Sequence, residues 1–128
     1  MLANRFDLDV SQGTTFQLQL NVQDANTNPI NLYSYSSILS ISSSWANSTI
    51  YDTLSTANGE IQIANAGTYL ITWPSNRTAN LFVDTSQATV GNPPKNTYVY
   101  DMNMTSNTGI VTKIIWGNMN VFASVTNP

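Results

Sequence analysis

The chain has no cysteine and no histidine, and its 128 residues include only four Lys or Arg and seven Asp or Glu. The lack of cysteine excludes a disulfide framework and thiolate chemistry. With histidine missing as well, the usual ligands of zinc, copper and haem iron are absent. The many serines have no histidine to accept a proton, and no glycine-rich phosphate loop is present. Charged residues make up 9% of the chain, against about 25% in an average soluble protein, and Asn, Gln, Ser and Thr fill the gap. The four cations, Arg5, Arg77, Lys95 and Lys113, are scattered along a chain of net charge −3 and pI near 4.3. That pattern argues against nucleic acid as a partner and against a basic juxtamembrane cluster.

The seven carboxylates are Asp7, Asp9, Asp24, Asp52, Glu60, Asp84 and Asp101. Asp7 and Asp9 share one strand parity, so they could form a carboxylate pair or part of a Ca²⁺ site. A solvated outer strand face is the plainer reading, because no segment sets oxygen ligands at alternate positions around a glycine. The expectation is therefore a non-enzyme without metal or cofactor. The opening MLANRFDLDV carries Arg and two Asp and lacks the apolar core of a signal peptide, and no apolar run approaches membrane-spanning length. These features suggest synthesis in a cytoplasm. Asn-x-Ser/Thr triplets at Asn47, Asn76 and Asn103 read as chance in so Asn- and Thr-rich a chain.

What the chain does have is alternation. Hydrophobic residues are 41% of it, enough for one folded domain, and they recur at period two with no long helical stripe. RFDLDV at 5–10 alternates Phe6, Leu8 and Val10 with aspartates. TTFQLQLNVQ at 14–23 sets Phe16, Leu18, Leu20 and Val22 against Gln17, Gln19, Asn21 and Gln23. After turn residues at 24–29, Tyr35, Leu39 and Ile41 share a parity leading to Trp45, and 46–55 reads as an edge strand. Asn58-Gly59 reads as a hairpin-type turn and Asn65-Ala66-Gly67 as a further break. TYLITW at 68–73 points Tyr69, Ile71 and Trp73 to one side before Pro74 stops it. Residues 75–82 predict a short helix with Ser75 as N-cap.

Residues 83–96 form the longest irregular segment, containing Asn92, Pro93 and Pro94, and segments of that length are often functional. TYVYDMNMTS at 97–106 turns Tyr98, Tyr100, Met102 and Met104 one way. The final strand, 111–125, shifts parity near Gly117, which suggests a bulge there. Seven or eight short strands predict an all-β, antiparallel, immunoglobulin-like sandwich, with a small barrel as the alternative. Trp73 and Trp116 are expected in its core. Lys113 has no obvious partner, and Trp45, in SSSWANS, is expected to be exposed.

The order of motifs carries a resemblance. Gly13-Thr14-Thr15 leads into an alternating strand, and Pro29-Ile30-Asn31-Leu32-Tyr33-Ser34-Tyr35 follows a turn. Thr78-Ala79-Asn80-Leu81, then Tyr98-Val99-Tyr100-Asp101, then Gly109 through Gly117 to Val125-Thr126 complete the series. In this order the chain resembles small tail-associated structural proteins of tailed bacteriophages, including the N-terminal immunoglobulin-like domains of upper baseplate proteins. It departs from their pattern at Asn31 and Ser34, where Asp and Gly are expected, and in the length of 83–96.

The resemblance implies a virion component made in the host cytoplasm, a tail or baseplate adaptor contacting other virion proteins and copies of itself. A neck or capsid-decoration role in the same particle is an alternative, and so is a carbohydrate-binding sandwich using its aromatics. Gln17, Gln19, Asn21, Gln23, Trp45, Asn92, Pro93 and Pro94 are the expected interface residues. Amides hydrogen-bond across an interface without the cost of desolvating charge.

Overall fold

The computed structural model describes residues 4–24, 26–45, 49–86, 89–91 and 93–125; Asn92 therefore lies outside the described residues. In chain order the elements are β1 (Asn4–Arg5), β2 (Leu8–Ser11), β3 (Phe16–Asn21), a 3₁₀ turn (Leu32–Ser34), β4 (Ser36–Ser42) and β5 (Ile50–Ser55). They continue with β6 (Ile61–Asn65), β7 (Thr68–Trp73), α1 (Ser75–Thr78), β8 (Lys95–Thr105) and β9 (Val111–Phe122). Two sheets form. The larger runs β1–β9–β8–β4–β5, with β2 also on β9, and the smaller runs β3–β7–β6. This division of strands is that of an immunoglobulin-like sandwich.

Alternation decides which side chains meet between the sheets. β8 buries Tyr98, Tyr100, Met102 and Met104, β7 buries Tyr69, Ile71 and Trp73, and β4 buries Leu39 and Ile41. Leu8, Val10, Met119 and Val121 complete that layer from the paired β2 and β9. The buried tyrosines satisfy their hydroxyls locally: Tyr69 shares a 2.5 Å hydrogen bond with Ser37, Tyr98 donates to the Phe82 carbonyl and Tyr100 to the Phe6 carbonyl. Burial pushes all three hydroxyls above the usual tyrosine range.

The structure corrects several expectations. The sandwich is not wholly antiparallel, since β1 and β2 run parallel to β9 in one register, Asn4 opposite Ile115 and Leu8 opposite Met119. Between them Phe6 and Asp7 fall outside the two strands, although the Phe6 N–H still donates to the Trp116 carbonyl at 2.8 Å, and Phe6 is 53% exposed instead of inward. The bulge in the last hairpin lies at Ile114, where Met102 pairs Ile115 but Asn103 pairs Lys113, and not at Gly117. Gly117 has a different role: a Cβ there would sit 2.3 Å from the Phe6 carbonyl oxygen, so only glycine admits the crossing N-terminal segment.

The Asn58-Gly59 turn carries the chain from the large sheet to the small one and closes no hairpin, because β5 pairs β4 while β6 pairs β7. The helix is one turn long; Pro74 occupies its N-cap without a side-chain bond, and Ser75 is already helical. Lys95 and Asn96 belong to β8, so the irregular segment ends at Pro94. Trp73 is buried as expected, but Trp116 stands half-buried on the outer face of β9.

Candidate protein interface

The small sheet presents a face of uncharged polar groups. Gln17, Gln19 and Asn21 project from β3 opposite Thr72, Leu70 and Thr68 of β7, and Gln62 of β6 flanks Leu70 on the other side. Gln17 Nε2 donates to Thr72 Oγ1 at 3.4 Å, and Thr68 Oγ1 donates to Asn21 Oδ1 at 2.9 Å. All three β3 amides are exposed. Gln23, also exposed, lies beyond the strand in an isolated bridge with Pro29. The apolar row beneath is less enclosed than its periodicity suggests: Val22 is buried, while Phe16, Leu18 and Leu20 are only half-buried. The reason is position, since β3 is the last strand of its sheet and has no strand beyond it to complete the cover.

The outer face of the large sheet has a second, chemically distinct patch. Trp45, 47% exposed, meets Trp116 edge-to-face at 6.0 Å between ring centroids. Arg5 lies 5.4 Å from the Trp116 ring and Lys113 lies 5.7 Å from the Trp45 ring. Lys113 therefore does have partners, because its Nζ also pairs with Asp101 Oδ2 at 3.0 Å. This patch brings together residues that are far apart in sequence, and parity alone pointed Trp116 inward.

The remaining expected residues lie apart from both patches. Pro93 is exposed, and the Pro94 carbonyl accepts a hydrogen bond from the Ala123 N–H at 3.0 Å, tying the end of that segment to the chain beyond β9. Asp7 and Asp9 act separately, as stitches between the N-terminal segment and β9. The Asn118 N–H donates to Asp7 Oδ1 at 2.9 Å and Asn120 Nδ2 donates to Asp9 Oδ1 at 3.0 Å. The Asn118 contact, with help from Arg5, holds the Asp7 carboxyl below the usual carboxylate range.

No protein-family model matches this chain, and no curated protein does. Among solved structures, murine CRIg is similar over 92% of each chain at 8% identity, with a TM-score of 0.39. So loose a likeness carries no argument about role, and the sandwich rests on the chain's own strand pairing.

One polar cluster escaped sequence reading altogether. Asp52 of β5 points into the sandwich, where it accepts from Trp73 Nε1 at 2.9 Å and Arg77 Nε at 3.0 Å. Arg77 also donates to the Thr53 carbonyl at 2.8 Å and lies 3.6 Å from Glu60. The Asp52 contact raises the Arg77 guanidinium further above its already high range. Every member of the cluster is engaged by another, so it works as a clamp joining β5, β7 and α1. Only the unusual placement of a lone Arg in α1 and a lone Asp in an apolar strand could have signalled it.

Proposed function

We propose that this protein is a non-enzymatic structural subunit of a tailed-phage virion, a tail or baseplate adaptor that acts through protein–protein interfaces. The observation that carries the reading beyond motif order is the charge-free outer face of the small sheet. A freely soluble sandwich gains by carrying Lys and Glu on such a face, whereas Gln17, Gln19, Asn21 and Gln62 suit burial against another protein. The tryptophan patch adds a second contact area of the composition enriched at binding hot spots.

Mass spectrometry of purified particles, with labelling of the chain by electron microscopy, tests the proposal. The expected outcome is a fixed copy number per particle and more than about 1,000 Å² buried against neighbours. A stable monomer absent from particles would overturn it. The half-exposed ring of Trp45 supports a second reading, a glycan-binding module. Against it, Lys113 already covers one ring and Arg5 the other. Glycan-array binding abolished by Trp45→Ala would favour that reading over the first.

A further inference from the structure

The four sheet edges are not alike. Isolated edge strands invite pairing with other chains, and proteins blunt them with charges, prolines, bulges or interruptions. The β1/β2 edge is broken at Phe6–Asp7 and carries Arg5, Asp7 and Asp9. The β5 edge carries the inward-pointing Asp52 and a register shift against β4. The β6 edge has a register shift between Ile63 and Asn65. By contrast, β3 runs six residues in unbroken register with β7, with no charge, no proline and no bulge.

Its open side can be read from the ladder. The Val22 N–H donates to the Gly67 carbonyl at 2.9 Å, and the Thr72 N–H donates away from β3 to the Glu60 carbonyl at 2.8 Å, so the hydrogen-bonded pairs of β3 with β7 fall at Phe16, Leu18 and Leu20. In an antiparallel ladder such pairs alternate, so the N–H and C=O groups of Gln17, Gln19 and Asn21 face away from β7. None of the described residues meets them. The same strand is also a palindrome in chemistry. Outward from Gln19, Leu18 matches Leu20, Gln17 matches Asn21, and Phe16 matches Val22.

We infer that β3 is a homodimer interface, pairing antiparallel with β3 of a second copy about a two-fold axis at Gln19 to make one continuous six-stranded sheet. In this register Gln19 faces the partner's Gln19, Gln17 faces the partner's Asn21, and Leu18 faces the partner's Leu20. The outward backbone groups of 17, 19 and 21 then satisfy one another. At a two-fold axis the central side chain meets its own copy, so a charge there would repel itself. An amide both donates and accepts, which suits Gln to the axial position. The half-buried Phe16, Leu18 and Leu20 gain the cover that the sheet's end denies them. The inference rests on the assembly reading for its purpose, but it is tested without any particle: a chain found in virions yet monomeric in solution would sink the strand pairing alone.

The test is sedimentation of the full chain between about 1 and 100 µM, the range of modest non-covalent affinity, together with cysteine trapping. Wild type is expected to dimerise. Gln19→Lys, on an exposed position and checked for fold by circular dichroism, should weaken the dimer at least about tenfold. The chain has no native cysteine, and Cα atoms in a hydrogen-bonded antiparallel pair lie about 5.5 Å apart, within disulfide reach. Gln19→Cys should therefore trap a covalent dimer under mild oxidation. Gln17→Cys should do so only when mixed with Asn21→Cys, and Gln62→Cys on β6 is the control. A wild type that stays monomeric, a dimer that Gln19→Lys leaves intact, or trapping at Gln19 no faster than at Gln62 would each overturn the proposal.

Discussion

At the scale of single residues, Gly117 and Tyr100 hold the N-terminal segment in place. Gly117 lets the Phe6 backbone pass closely, and the Tyr100 hydroxyl donates to that same Phe6 carbonyl. Gly117→Ala must push Phe6 off β9 or distort β9, at a cost of about 1–3 kcal/mol. Hydrogen exchange should show protection lost selectively at β1, β2 and β9, with the β3–β7–β6 sheet unaffected. Tyr100→Phe removes one part-buried hydrogen bond to the Phe6 carbonyl, so chemical denaturation should report a loss of about 1 kcal/mol. Uniform loss of protection in Gly117→Ala would show that the N-terminal segment is not a separable layer.

At the scale of elements, the Asp52–Arg77 clamp fastens an edge strand to the helical turn. Side-chain exposures of 20% for Asp52 and 29% for Arg77 put the pair at the sandwich margin, between the surface and buried limits. Arg77→Ala leaves Asp52 with only the Trp73 N–H and the Thr53 backbone N–H, and should cost about 1–3 kcal/mol. A double-mutant cycle with Asp52→Asn should return a coupling above about 0.5 kcal/mol. Additive losses would mean that the two side chains act separately. The clamp adds to the other anchors of β5, its pairing with β4, the buried Leu54 and the Tyr51–Tyr98 ring contact.

At the scale of the whole molecule, the three buried tyrosines predict how stability depends on alkali. Burial raises the folded-state values of Tyr69, Tyr98 and Tyr100, whereas in the unfolded chain each titrates near its usual value of about 10. Below that pH all are neutral in both states and nothing changes. Above it the unfolded chain releases protons that the folded chain retains, so stability falls as pH rises. Melting temperature should be flat from pH 8 to about 9.5 and then decline, and the Tyr100→Phe variant should decline less steeply. An equal slope in wild type and variant would remove Tyr100 from this account.

Much of this molecule was legible in the sequence. Period-two alternation identified β3, β4, β7 and β8 and the side each buries, because a pleated strand between two sheets leaves no other place for Tyr69, Ile71, Trp73, Tyr98, Tyr100, Met102 and Met104. Composition pointed in the same way to the uncharged outer face of the small sheet. Other features depended on which strands became neighbours, and periodicity within a strand carries no information about that. The parallel docking of the N-terminal segment, the crossing role of the Asn58-Gly59 turn, the close passage at Gly117 and the outward turn of Trp116 are all of this kind. The amide row of β3 combines both sources. Its chemistry is written in FQLQLN, but its position as an open, unguarded edge exists only because the N-terminal strands pair with β9 and leave β3 uncovered.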